Sequence, residues 1–152
     1  ADYQKQGVGY RTMPAPQRNF HEQVWQHQMK ADANGLVPVA LVNDRLGLAF
    51  EVETRQDQFP CQFEWQNLQA GQYAIGLEPS TNHVLGHKYA EEHNELIWLE
   101  HGEERRYDST FRILGDAANI AASEARIAAI ATQPEDDYPA PSGNHMAIGG
   151  RL

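Results

Sequence analysis

Several features that would narrow the function are scarce in this sequence. Its single cysteine, Cys61, excludes a disulfide within the chain and makes a reducing cytoplasm the expected location. Lys and Arg number 12 against 21 Asp and Glu, so the net charge of −9 argues against nucleic acid and anionic membrane surfaces as partners. No apolar run approaches the roughly 18 residues of a transmembrane helix, and we expect no signal peptide.

The bulk composition is that of one ordinary domain. The chain has 152 residues, of which 41% are hydrophobic and 22% charged, which is enough for a single core. Short apolar or alternating runs are separated by turn signals such as Asn34-Gly35, a pattern typical of an antiparallel β-sandwich. The predicted strands cover residues 20–27, 36–43, 48–54, 59–66, 73–78, 95–99 and 106–114.

The third predicted strand alternates most clearly. Leu48, Phe50 and Val52 fall on one side, and the other side carries Glu51 and Glu53. The pattern predicts a half-buried strand with the apolar side in the core and the charged side in water.

One helix is predicted near the C-terminus. An alanine-rich segment starts after Asp116, a good N-cap residue, and stops before Pro134. The predicted organisation is a β-sandwich domain at 1–114, a C-terminal helix at 115–133 and an irregular tail at 134–152.

The segment YAIGLEPSTN, residues 73–82, is the strongest local signal. Glu78 closes an apolar strand there, and Pro79 is expected to end the strand pairing. A carboxylate that faces a pocket from a strand end can be desolvated enough to act as a base. The alternative is an ordinary strand-end acid that accepts hydrogen bonds from its own loop.

Residues 73–114 resemble the C-terminal signature of aldose 1-epimerase (galactose mutarotase-like) proteins. YAIGLEPSTN is followed, after a spacer, by LEHGEERRYDSTFRIL, and in that family a Leu-Glu pair precedes an Asn-containing loop, a Gly-Glu turn and a last alternating strand. The resemblance extends over roughly residues 10–130 and points to a little-characterised branch, often labelled as a domain of unknown function. It implies a galactose mutarotase-like sandwich that binds a monosaccharide or a modified sugar.

The resemblance also implies roles for individual residues. Glu78 matches the catalytic base that removes the proton from the anomeric hydroxyl of a sugar, in a reaction that needs no metal or organic cofactor. Glu22 lies 56 residues earlier, which suits the acid that binds sugar hydroxyls, although it is equally an exposed strand residue. Asn82 and His83, in the loop after Glu78, are candidate substrate-binding residues. Trp65 is a candidate for stacking on a sugar face, but its alternation with neighbouring apolar residues also favours a core position.

The chain departs from the family in length. Family members are close to twice as long and carry the general-acid histidine well upstream of the base, so this chain resembles their C-terminal half. No histidine of this chain matches that acid by motif. We therefore expect association with another chain or with a missing N-terminal half, and a carbohydrate-binding module without catalysis is an alternative function.

A cluster of histidines suggests a third function. Four histidines fall within 19 residues, beside several glutamates: His83, His87, His93 and His101. Imidazole with carboxylate suits zinc, iron or manganese, and HNELIWLEHGE resembles the metal strand of a cupin-like sugar isomerase. The paired His-x-His of cupins is missing, a solvated polar loop is the alternative, and no metal site is predicted.

Overall fold

The computed structural model describes residues 9–131. After a single 3-10 turn, this part of the chain contains six strands and two helices. They are β1 (Gln23–His27), β2 (Leu36–Asn43), β3 (Leu48–Arg55), β4 (Cys61–Asn67), β5 (Ala74–Ser80), α1 (His87–Glu92), β6 (Ser109–Leu114) and α2 (Ala117–Ile130). The predicted tail at 134–152 lies outside the described residues.

The strands form two three-stranded antiparallel sheets. β4 is the central strand of the first, in the order β1-β4-β5, and β3 is the central strand of the second, in the order β2-β3-β6. Among residues 9–131, no strand of one sheet pairs with a strand of the other. The prediction of an all-β antiparallel fold with a C-terminal helix is confirmed.

Two predictions around the Glu78 loop are wrong. β5 does not end at Glu78 but continues through Pro79 to Ser80, because β5 is an edge strand on which proline can be tolerated. Residues 95–99 form no strand, although the run is apolar. Its side chains at Ile97, Trp98 and Leu99 are exposed. An apolar run becomes a strand only where a neighbouring strand pairs with it, and among the described residues none does so here.

The charged side of β3 is buried, contrary to the prediction, and the predicted core side is buried only at Val52. Glu51 is 0% exposed and Glu53 is buried, whereas Phe50 is 40% exposed and Leu48 is also exposed. Helix α2 packs over the face that carries the carboxylates, with Ile120 buried against it. The charged side of β3 therefore lies in the core.

Two arginines neutralise this buried face. The Arg112 guanidinium lies 2.6 Å from Oε1 of Glu51 and 2.8 Å from Oε1 of Glu53, and Arg126 of α2 bridges the other oxygens of the same two carboxylates. Ser123 also donates a hydrogen bond to Glu51. Burial alone would raise the pKa of Glu51, but the hydrogen bonds from Arg126, Ser123 and Arg112 outweigh it and lower the pKa below its ordinary value of 4.5.

The face of the second sheet opposite the carboxylates carries exposed apolar side chains. Phe111 is 66% exposed and Ile113 is 77% exposed, next to Leu48 and Phe50. The rings of Phe50 and Phe111 stack with centroids 5.9 Å apart. We call these four residues the β6 patch, and nothing in the described part of the chain covers it.

The first sheet also buries polar groups. Gln62, Glu64 and Gln66 project from one face of the central strand β4 and are all buried. Gln66 Nε2 donates to Oε1 of Glu64 at 2.6 Å and to the backbone oxygen of Tyr10 at 3.3 Å. Burial raises the pKa of Glu64, and the hydrogen bond from Gln66 opposes the rise only in part.

Among residues 9–131, no helix has the length and apolar character needed to cross a membrane.

Replacement of Glu51 by Gln should lower the free energy of unfolding at pH 7 and make that free energy depend less on pH in the acid range. Loss of the carboxylate leaves Arg112 and Arg126 to share Glu53 as their remaining counter-charge. Because both arginines are partly exposed, we expect a loss of about 2 kcal/mol in the free energy of unfolding at pH 7. The folded pKa of Glu51 is depressed, so its stabilisation is present above pH 4.5 and is lost as the pH falls through the folded value.

Urea denaturation from pH 3 to pH 8 measures both effects. The control is Glu124→Gln, which removes an exposed carboxylate from α2 and should change stability by less than about 0.5 kcal/mol. Parallel pH profiles for wild type and Glu51→Gln would contradict the network.

Replacement of Glu64 by Gln, unlike that of Glu51, should stabilise the fold at neutral pH. The folded pKa of Glu64 is raised, so its favourable contribution is present below pH 4.5 and is lost as the pH rises through the folded value. The variant should therefore be more stable than wild type at pH 8 and no more stable at pH 4. Denaturation midpoints at these two pH values test this, with the exposed Glu91→Gln as control.

Candidate functional site

Three of the residues singled out in the sequence lie on one face of the first sheet. Strand alternation places Glu78 of β5 and Trp65 of β4 on this face, and Glu22 directly precedes β1 on the same side. Trp65 Nε1 donates a hydrogen bond to Oε2 of Glu22 at 3.3 Å. Asn67, two residues after Trp65, has its Nδ2 at 3.5 Å from the other oxygen of Glu22. We call Glu22, Trp65 and Glu78 the carboxylate face.

Trp65 is half-buried, and its indole edge is fixed by Glu22. Its neighbour Phe63 on the same face is 1% exposed and belongs to the core. The Trp65 ring therefore sits at the boundary between the core and the open surface, and its stacking on a sugar stays a prediction.

Glu78 is exposed to solvent and lies opposite Phe63 in the register of β4 and β5. Its carboxylate folds back along the strand over Gly76, so that a Cβ atom at position 76 would lie 2.4 Å from Oε1 of Glu78. Gly76 in turn lies opposite Trp65. The absence of a side chain at Gly76 therefore leaves room for the Glu78 carboxylate beside Trp65.

The other two candidates, Asn82 and His83, lie in the loop after β5. His83 Nδ1 is 2.6 Å from Oε1 of Glu95, and the His83 backbone N–H donates to Oε2 of the same residue at 3.0 Å. Asn82 Nδ2 donates to the His83 backbone oxygen at 3.0 Å, and Thr81 donates to Oδ1 of Asn82. The Asn82 amide therefore helps to fix the loop.

A cleft of about 590 Å³ opens beside this loop. A smaller one of about 320 Å³ adjoins it and shares Thr81, Asn82, Glu95, Ile97 and Arg105 with it. The remaining lining of the larger cleft is mostly polar and consists of Gln26, His27, Gln28, Pro60, Cys61, His83 and Asn94.

The cleft and the carboxylate face are neighbours on the sheet. Cys61 lines the cleft and lies opposite Ser80, which is two residues, or about 7 Å, beyond Glu78 on the same strand. Glu78 itself is exposed and does not line either cleft, contrary to the expectation that its carboxylate faces a pocket. Burial raises the pKa of the Cys61 thiol, with Glu95 adding to the rise, so the thiol is protonated at neutral pH and is a poor nucleophile.

The histidines predicted to cluster are spread over different elements. His87 begins α1, His93 follows it with its Nδ1 at 2.9 Å from the backbone oxygen of Tyr89, and His101 lies in a turn. Within residues 9–131, no group of three or more His, Cys, Asp and Glu side chains is arranged to hold a metal ion.

Sequence reasoning did not single out Arg105 or the pairing of Glu95 with His83. Arg105 lines both clefts, but it lies in an irregular segment without periodicity. The pairing of Glu95 and His83 depends on a loop that brings together residues 12 positions apart. The only sequence signal for this pairing was that Glu95 lies near several histidines.

Comparisons with known proteins agree with the resemblance noted in the sequence. A solved structure from Klebsiella pneumoniae subsp. pneumoniae MGH 78578, described as a "putative aldose 1-epimerase", is similar with a TM-score of 0.80 and 27% sequence identity. The similarity covers 91% of this chain and 38% of the Klebsiella chain, so the present chain spans well under half the length of that protein. No curated protein matches the chain.

Residues 1–113 match the family described as "Domain of unknown function (DUF4432)". This match covers most of the chain, and the two antiparallel sheets with their C-terminal helix have an aldose 1-epimerase-like fold. The chain belongs to the DUF4432 family, within the aldose 1-epimerase-like superfamily.

Proposed function

We propose that this chain forms part of the sugar site of an aldose 1-epimerase-like protein, with Glu78 as the base that interconverts anomers. The observation that carries the proposal is the carboxylate face itself. Two carboxylates and an indole ring, far apart in the sequence, lie on one sheet face in a fold similar to that of the Klebsiella protein.

Each group on this face has a property that suits a cyclic sugar. Carboxylates accept charge-assisted hydrogen bonds from hydroxyl groups, which is the role proposed for Glu22. The half-buried ring of Trp65 offers an apolar surface to the C–H side of a pyranose. Asn82 and His83, in the loop next to the face, are proposed to contact the substrate from the side of the cleft.

The proposed reaction is general acid–base catalysis. Glu78 takes the proton from the anomeric hydroxyl, the bond between the anomeric carbon and the ring oxygen breaks, and the ring oxygen receives a proton from an acid. Rotation about one bond and closure by the reverse steps give the other anomer. The exposed carboxylate of Glu78 is accessible to such a hydroxyl.

The acid is proposed to come from outside the described face. The positions of β1, β4 and β5 that share the face with Glu78 carry no histidine. The same observation supports the second candidate function, a carbohydrate-binding module that holds a sugar without converting it.

We further propose that the β6 patch is covered by a second β-sheet layer with an apolar face. Apolar patches of this kind mark interaction surfaces. The similar Klebsiella chain is much longer than the region matched here, so the unmatched part of such a chain is the occupant that we propose.

Replacement of Glu78 by Gln should slow mutarotation by at least about 100-fold while leaving sugar affinity within a few-fold of wild type. Polarimetry and NMR exchange measurements with glucose and galactose test this, in the presence of the covering layer if the chain alone is inactive. Glu91→Gln, which removes an exposed carboxylate on α1, is the control. Wild-type rates in Glu78→Gln would contradict its role as base, and sugar binding without any acceleration would favour the binding module.

The double variant Phe111→Ser, Ile113→Thr should lose association with the covering layer. Wild-type chain co-expressed with the unmatched part of the Klebsiella chain should co-purify with it, and the double variant should not. Leu46→Ser, an exposed apolar residue in a turn outside the patch, is the control. Concentration-dependent self-association that the double variant abolishes would instead assign the patch to a second copy, and an unassociated wild-type chain would contradict the proposal.

A further inference from the structure

Arg105 forms no ion pair within residues 9–131, and its guanidinium lies over the ring of Tyr107, 5.4 Å from the ring centroid. Arg18 and Arg45 likewise form no ion pair among these residues, whereas the arginines at 55, 106, 112 and 126 each pair with an Asp or Glu. What distinguishes Arg105 is therefore its position in the fold.

Arg105 is also the residue at which the two clefts meet. It lines both, and it is the only Lys or Arg that does so among the described residues. A bound group in either cleft therefore lies within reach of a planar guanidinium, which can make two parallel hydrogen bonds to a carboxylate or a phosphate.

The acidic group of the clefts is already engaged. Both carboxylate oxygens of Glu95 are bound by His83, one by the ring and one by the backbone N–H. Glu95 therefore competes poorly for Arg105, and the remaining polar lining contributes amides, at Gln26, Gln28 and Asn94. Amide groups can hydrogen-bond hydroxyls, and the guanidinium adds one positive charge.

We propose that the substrate is an anionic sugar whose carboxylate or phosphate binds Arg105. This inference rests on the proposed function and names its substrate class. The cleft adjoins β5 at Ser80, about 7 Å along the strand from Glu78. The proposed substrate is a hexose with a charged substituent at the end remote from its anomeric carbon, bound with the anion at Arg105 and the anomeric hydroxyl toward Glu78.

Calorimetric titrations with glucose, glucuronate and glucose 6-phosphate test the proposal. Wild type should bind at least one of the two anionic sugars about tenfold more tightly than glucose, which corresponds to one charge-assisted hydrogen-bonding contact. Arg105→Gln should abolish this difference, by weakening the binding of the anionic sugars far more than that of glucose. Arg106→Gln makes the same charge change at the next residue, which is paired with Asp108 at 2.7 Å, and should retain the difference.

Three results would overturn the proposal. They are equal affinity of wild type for all three sugars, an equal loss in Arg105→Gln and Arg106→Gln, and inorganic phosphate binding as tightly as glucose 6-phosphate, which would indicate an anion site without a sugar. Failure of the proposed catalysis would give a different result. Glu78→Gln would then show wild-type mutarotation rates, while the wild-type chain would still bind anionic sugars more tightly than glucose.

Discussion

The buried carboxylate of Glu51 determines which way the second sheet faces. An ionised group with no exposure to water is tolerated only when it is paired, and Arg112 and Arg126 provide that pairing from β6 and from α2. Because side chains alternate along a strand, burial of Glu51 under α2 turns Phe50 to the opposite face. The ion network thus attaches the C-terminal helix and exposes the β6 patch at the same time.

The exposed β6 patch and the greater length of the similar Klebsiella chain both point to a covering layer. Phe111 and Ile113 are exposed, so nothing in residues 9–131 covers this face of the second sheet. The solved Klebsiella chain is longer than the region that matches. A covering layer would bury the β6 patch, and we propose that it also brings the acid that the carboxylate face does not supply.

Much of the fold could be predicted from the sequence, and the errors have physical causes. The strand limits of β2 agree with the prediction because Gly35 and the turn after Asn43 mark both of its ends. The orientation of β3 could not be predicted, because alternation says only that two kinds of side chain lie on opposite faces. Which face is buried depends on arginines 59 to 75 residues further along the chain.

The candidate site was also predictable only in part, because local sequence patterns do not show tertiary contacts. Motif resemblance singled out Glu22, Trp65 and Glu78, and the register of β1, β4 and β5 brings them to one face. Arg105 could not be found this way, since it belongs to an irregular segment whose position depends on tertiary structure. The failed strand at 95–99 shows the same limit, because pairing partners are not visible in a local pattern.

The central claim is that a sugar binds on the carboxylate face. The indole Nε1–H of Trp65, which donates to Glu22, is a reporter inside that face, and its NMR resonance can be assigned by comparison with Trp65→Phe among the three tryptophans. Titration with a hexose or a hexuronate should shift this resonance in a saturable way and leave those of Trp25 and Trp98 in place. An unchanged Trp65 resonance at saturating sugar would contradict the account.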